Sequence, residues 1–149
     1  MPAIAIRELR TAVEIERAIA IRLAVFVAEQ GVSLAQEIDG LDDQARHLLA
    51  SVDGEPAGTL RIRLLDDRRI AKIERVAVVA RLREHRIGHC LMEAALELAR
   101  AQGVREVRLH AQTTAQGFYA KLGFVAVGDV FVEDGIDHIA MVLPMTSTS

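Results

Sequence analysis

A chain of 149 residues, 51% hydrophobic and 26% charged, is one domain's worth of sequence with enough apolar content for a core, and these proportions exclude a disordered chain. Its net charge of −3 speaks against nucleic acid as a partner, because such binding rests on a basic surface. No apolar run reaches membrane-spanning length, Met1 to Arg10 lacks the build of a signal peptide, and the single cysteine, Cys90, permits no intramolecular disulfide. The expectation is a cytoplasmic protein with no membrane contact, in a reducing compartment.

Ala3 to Leu9 alternates weakly and predicts a first strand. Thr11 caps a helix through roughly Gln30, with Glu14 three residues on completing a capping box, and Ile15, Ile19, Leu23 and Phe26 form its apolar stripe. Gly31 to Gln44 is an acidic connection carrying Glu37, Asp39, Asp42 and Asp43, expected as a solvated loop, with a cation or a basic substrate as the other reading. Arg46 to Val52 and Ala57 to Leu65 are strands joined by the hairpin signal Asp53-Gly54-Glu55-Pro56. Asp66 to Arg69 turns into the β-branched strand Ile73 to Val79. The turn Arg83-Glu84-His85-Arg86-Ile87-Gly88 follows, and Ile87, Leu91, Ala95 and Leu98 then recur at helical spacing until Gly103 caps the helix. Val104 to His110 alternates as a strand, and Thr113 or Thr114 caps a short helix with Phe118, Tyr119 and Leu122. Phe124 to Val132 and Ile136 to Leu143 pair around Glu133-Asp134-Gly135, and Thr146 to Ser149 is a frayed tail.

The order is β-α-β-β-β-α-β-α-β-β. It predicts an α/β fold (α+β mixed) in one domain over residues 1–149: a mixed, mostly antiparallel sheet with one parallel β-α-β pair at its centre, covered by helices.

A turn opening into a helix leaves backbone N–H groups unpaired, and Arg83 and Arg86 beside it add donors suited to phosphate, so the 83–88 segment is a candidate anion site. An ordinary β-turn-α unit with solvated arginines is the alternative. Cys90 lies in the first helical turn, where a thiolate is favoured, yet no histidine pairing can be read from sequence. His85 and His89 have a metal-like spacing without a third ligand, so no metal site is expected.

The element order, the arginine turn after the fourth strand, and Ala115-Gln116-Gly117-Phe118-Tyr119-Ala120-Lys121-Leu122-Gly123-Phe124 after the fifth resemble the GCN5-related N-acetyltransferase (GNAT) superfamily. Val76-Ala77-Val78 with Arg83-x-x-x-Ile87-Gly88-x-x-Leu91-Met92 looks like its acetyl-CoA segment. Phe118-Tyr119-x-Lys121-Leu122-Gly123-Phe124 looks like its second signature. Val25-Phe26-Val27-x-Glu29-Gln30, Glu37-x-Asp39-Gly40-x-Asp42, His47, Leu109-His110-Ala111-Gln112 and Gly135-Ile136-x-His138 look like the ElaA/YjcF-type subgroup.

The resemblance implies an acetyl-CoA-dependent N-acetyltransferase acting on an amine-bearing small molecule or peptide, as a monomer or homodimer. A non-catalytic acyl-CoA-binding module is the alternative. Val76, Ala77 and Val78 would hold the pantetheine arm; Arg83, Glu84, His85, Arg86, Ile87, Gly88 and His89 the pyrophosphate; Gln112 would also face the cofactor. Arg86 stands where the family pattern has its first glycine, and either crowds the pyrophosphate or binds it. Tyr119 would be the general acid, with a core aromatic beside Phe118 as the alternative. Glu74, read as sharing a face with Val76 and Val78, is either the base or a salt-bridge partner of Arg61 or Arg63. Glu29, Gln30, Asp39, His47, His110 and His138 are the candidate acceptor contacts.

Overall fold

Residues 3–145 are described by a computed structural model; the tail expected at Thr146 to Ser149 lies outside the described residues. Ile4–Leu9 is β1. The capping box forms as expected: Glu14 N–H donates to the Thr11 hydroxyl and Thr11 N–H to the Glu14 carboxylate, starting α1 (Ala12–Arg22). The helix does not continue to Gln30 in α form. Over Leu23–Glu29 it widens into a π-helix, with Gln30 N–H donating to Val25 O, five residues back, at 3.0 Å. The chain then turns under itself, Val32 N–H reaching Phe26 O at 2.8 Å, into the single turn α2 (Leu34–Glu37).

The strands β2 (Arg46–Val52), β3 (Glu55–Leu65) and β4 (Ile70–Val78) form a meander. A 3₁₀ turn, Ala80–His85, leads to α3 (Ile87–Ala101), beyond which Gly103 takes the left-handed conformation (φ 72°) of a helix stop. After β5 (Glu106–Gln112), Thr113–Ala115 is a 3₁₀ turn rather than a cap, and Ala115 precedes α4 (Gln116–Lys121) with no side-chain hydrogen bond. β6 (Val125–Glu133) and β7 (Ile136–Pro144) close the fold.

One seven-stranded sheet results, in the order β1-β2-β3-β4-β5-β7-β6, with β4 and β5 parallel and every other pair antiparallel. Its central parallel pair and mixed character are those expected from the element order. On one face Ile87, Leu91, Met92, Ala95 and Ala99 of α3 are fully buried with Leu60, Ile62, Ile73 and Leu109. On the other, Ala18 and Ile21 of α1 pack with Val25 on Leu9, Leu49 and Ala77. Gly58 of β3 sets the approach of α3: a Cβ there would sit 3.0 Å from Ala77 O and 3.1 Å from Ile87 Cγ2 and Leu91 Cδ1.

The decisive irregularity is in β4. Arg61 pairs with Glu74 but Thr59 pairs with Ala77, so Arg75 and Val76 together oppose one β3 residue, and Arg75 takes φ 60°. Such a bulge bends its strand and advances the side-chain alternation by one. The expected shared face of Glu74 with Val76 and Val78 is therefore corrected. Glu74 lies with its partner Arg61 and with Ala77 on the α1 face, while Ile73 and Val78 face α3. Beyond Ile73 and Leu109 the parallel pairing stops. Each strand keeps its outer neighbour, β4 with β3 to Val78 and β5 with β7 to Gln112, and the two part as a V.

Candidate active site

The parting of β4 and β5 opens a cleft of about 830 Å³. Val76, Ala77 and Val78 form one wall, Leu109, His110 and Gln112 the other, and α4 contributes Phe118 and Tyr119. A strand edge without a ladder partner keeps polar backbone groups that an extended amide-bearing chain can pair with.

The cleft runs to the start of α3, where Arg86, Gly88 and His89 line it with Arg83. Arg86 is left-handed (φ 59°, ψ 28°), the conformation a glycine adopts without steric cost. A Cβ on Gly88 would meet the Phe118 ring at 3.5 Å and Val78 Cγ2 at 3.9 Å, so the bare glycine keeps a passage open between them. Arg83 donates through Nε to Val78 O at 3.0 Å and grips the Glu29 carboxylate at the end of the π-helix. Gln112 Nε2 donates to Gln30 Oε1 at 2.8 Å, so two side-chain contacts bridge the cleft from the same turn. Ile87 is fully buried, and neither it nor His85 nor Glu29 lines the cleft. Glu84 belongs to the preceding turn, and its side chain lies outside what is described. His89 bonds Glu93 at 2.6 Å rather than pairing with His85.

Tyr119 is 8% exposed, with its ring edge-on to Phe118 and Phe124 at centroid distances of 5.0 and 6.1 Å. Burial pushes its phenol up to about 12, so it stays protonated at neutral pH. It is thus at once a core aromatic and a cleft-lining residue whose phenol keeps its proton.

On the α1 side the acidic connection is only partly solvated: Asp39 and Asp43 are exposed, but Glu37 and Asp42 turn inward. Glu37 is buried at 2% exposure and takes a 2.6 Å hydrogen bond from Arg22 Nε, while Arg22 Nη1 donates to Asp42 at 2.6 Å. Arg61, wholly buried, donates to Asp39 at 2.6 Å, to Asp42 at 3.0 Å and to Glu74 at 3.2 Å. Arg75 Nε lies 2.9 Å from Glu37 Oε2, off the N–H direction, and Arg75 Nη2 donates to Asp39. Three of the four carboxylates of that connection, Glu37, Asp39 and Asp42, thus face guanidinium groups of the chain itself. The Arg61 hydrogen bond, with Arg75 nearby, holds Asp39 well below the usual carboxylate range, and Asp39 is outside the cleft. That removes it as an acceptor contact.

Glu74 lines the cleft but takes hydrogen bonds from Arg63 at 2.6 and 3.2 Å besides that of Arg61, with Lys72 Nζ at 3.4 Å. Burial opposes its ionisation, yet the Arg63 hydrogen bond and the Arg61 and Lys72 charges outweigh it and hold the carboxyl at about 2. Of its two expected roles the salt-bridge partner is the one the geometry fits.

The histidines divide. His47 is 1% exposed, with Nε2 donating to Asp42 O at 3.0 Å, and cannot meet a substrate. His110 and His138 line the cleft together with Glu133, which the sequence presented only as a turn residue. The buried Arg22 and the cleft-lining Arg75 went equally unremarked, since nothing in their spacing marks buried or cleft-facing charges.

Comparison with known proteins agrees with this geometry. A model of the acetyltransferase (GNAT) domain matches residues 13–145. Bacillus subtilis YyaT is 35% identical over 139 residues, 91% of this chain and 93% of that protein. Escherichia coli ElaA is 39% identical over 125 residues, 81% of each chain. The B. subtilis N-acetyltransferase YjcF is 33% identical over 129 residues, 86% of this chain and 91% of that one. The crystal structure of E. coli ElaA matches with a TM-score of 0.83 at 34% identity, covering 94% of this chain and 99% of that chain. An acyl-CoA N-acyltransferase from Pseudomonas aeruginosa matches at 0.79 and 35%, covering 95% and 99%. An Elizabethkingia anophelis GNAT acetyltransferase with acetyl-CoA bound shares the fold, with a TM-score of 0.74 at 18% identity over 95% of this chain and 98% of that one. With a V-shaped opening between its parallel strands, a glycine-lined helix start at one end and relatives of the ElaA and YjcF kind, this chain belongs to the GNAT family of N-acetyltransferases.

Proposed function

We propose that the chain moves the acetyl group of acetyl-CoA directly to a primary amine of a small molecule or peptide. One observation supports this above the others: the unpaired β4 edge from Val76 to Val78 leads straight to the start of α3, where Gly88 leaves an opening between Phe118 and Val78. Bound acetyl-CoA supplies a thioester, an acyl group on a leaving thiolate. Backbone groups of Val76 and Val78 would hold its pantetheine arm as a neighbouring strand would. First-turn N–H groups of α3 with Arg83 and Arg86 would take the pyrophosphate, Arg83 exchanging Glu29 for phosphate. Tyr119, kept protonated by burial, would give its phenolic proton to the departing sulfur. The lone Cys90 suits a reducing compartment such as the cytoplasm.

Titration with acetyl-CoA while following the melting temperature is the direct test, because a ligand bound only by the folded state stabilises it by mass action. A screen of amine acceptors then follows free thiol release. Absence of a thermal shift at saturation would defeat the proposal; binding without thiol release from any amine would instead favour a non-catalytic acyl-CoA-binding module.

A further inference from the structure

The cleft contains a second ordered proton-handling unit, on the same face of the sheet as Glu74 and Arg61 but carried by β5, β6 and β7. His110 Nδ1 lies 3.1 Å from Glu133 Oε1, and the other carboxylate oxygen is 3.7 Å from His138 Nε2. His138 is fixed in turn, its Nδ1 donating to Ile136 O at 2.7 Å. Phe131 meets the His110 ring edge-on at 5.0 Å and stacks on His138 at 6.0 Å. Three strands thereby position one imidazole: β5 carries it, β6 supplies the carboxylate and the aromatic wall, and β7 backs that wall with His138, stacked on Phe131. A carboxylate at Nδ1 demands a proton there, leaving Nε2 of neutral His110 with a free lone pair. Nε2 has no partner among the described residues, and His110 lines the cleft. The charged groups facing it from β4, Lys72 and Glu74, are already paired with each other and with Arg63.

We infer that His110 is the general base of the transfer and that Glu133 is its positioning residue, fixing the ring's tautomer and orientation. This rests on the N-acetyltransferase reading above. A protonated amine would give one proton to His110 Nε2 and attack with the freed pair. As nitrogen bonds to the acetyl carbon, the carbon–sulfur bond breaks; sulfur leaves with that pair and takes the Tyr119 proton. Of the amine's three protons, one goes to His110 and on to solvent, one restores the phenol, and one stays on the amide.

The experiment uses the full chain and the best acceptor from the amine screen. His110→Ala should lower kcat by about 10²–10⁴, leave the acetyl-CoA thermal shift intact and regain rate with added imidazole. Glu133→Gln should lower kcat by about tenfold or more in the wild-type background and by almost nothing in the His110→Ala background, since a residue acting through another is non-additive with it. Glu133→Asp should recover part of the loss. In the free protein, imidazole ¹⁵N spectra should show His110 protonated at Nδ1, and Glu133→Gln should disturb that tautomer. Near-normal turnover in His110→Ala, equal Glu133→Gln losses in both backgrounds, or an Nε2–H tautomer would each overturn the inference. Wild-type thiol release alongside those results would leave the acetyltransferase reading standing, whereas absent acetyl-CoA binding would remove both.

Discussion

Glu74→Gln separates the two roles open to that residue, and the structure sets the size of the effect. The carboxyl is drawn from its ordinary 4.5 to about 2, which at 1.36 kcal/mol per pH unit favours the folded, ionised form by about 3 kcal/mol. Because the folded value is depressed, this stability is present above about pH 4.5 and is lost as pH falls towards 2. At pH 3 about 1.5 kcal/mol of it should remain. Glutamine keeps the shape and some of the Arg61 and Arg63 hydrogen bonds, so the variant should be less stable at pH 7 by about 2–3 kcal/mol. That corresponds to a melting temperature lower by about 5–10 °C for a chain of this size. Urea titrations of both proteins at pH 7 and pH 3 provide the measurement, and the gap should shrink by about half at the lower pH. Turnover per folded molecule should stay within about tenfold of wild type, below the usual general-base contribution. A variant as stable as wild type, or one with the same deficit at both pH values, would refute the ion-pair reasoning. A rate loss of a hundredfold without loss of stability would make Glu74 the base after all.

Tyr119→Phe should cost about 10²–10⁴ in kcat with little change in acetyl-CoA binding, and near-normal turnover would show that another group protonates the thiolate. With the phenol at about 12, any fall in wild-type activity between pH 8 and 10 should persist unchanged in whatever activity the variant keeps. Arg83→Ala should weaken acetyl-CoA by about 1.5–3 kcal/mol, as for a charge-assisted phosphate contact. Glu29→Gln, by releasing Arg83, should tighten binding by up to about fivefold; calorimetry on the pair checks both. Arg86→Gly should raise the melting temperature, since the left-handed backbone costs a non-glycine residue about 1 kcal/mol. Its affinity for acetyl-CoA reports separately whether the guanidinium binds phosphate (weaker) or obstructs it (tighter).

Much of the scaffold was written in local pattern. The Thr11 and Glu14 box, the Asp53-Gly54 hairpin, the α3 stripe and the Gly103 stop each depend on neighbours a few residues away, and each is present. The bulge at Arg75 was not legible, because Ile73 to Val79 looks like an unbroken β-branched strand and only pairing with β3 shows the extra residue. The burial of Glu37 and Asp42 was hidden for a related reason: their partners Arg22 and Arg61 are 15 and 19 residues away in sequence. Glu133 could have been found by register. A two-residue turn at Asp134-Gly135 sets Phe131 opposite His138, and β7 in turn sets His138 opposite Gln112, bringing the end of β6 to His110's end of β5.

The extra residue in β4 also works as a wedge, and it implies how little separates an open sheet from a sealed one. Arg75 and Val76 together occupy one pairing position. Deleting either would leave Ala77 and Val78 on the faces they already hold, so the two cores could be retained. The parallel ladder that now stops at Ile73 and Leu109 would be free to zip onward past Glu74 and His110 towards the strand ends. Such a shortened chain should fold, resist heat at least as well as its parent, and have lost the slot in which any acyl-CoA arm could lie.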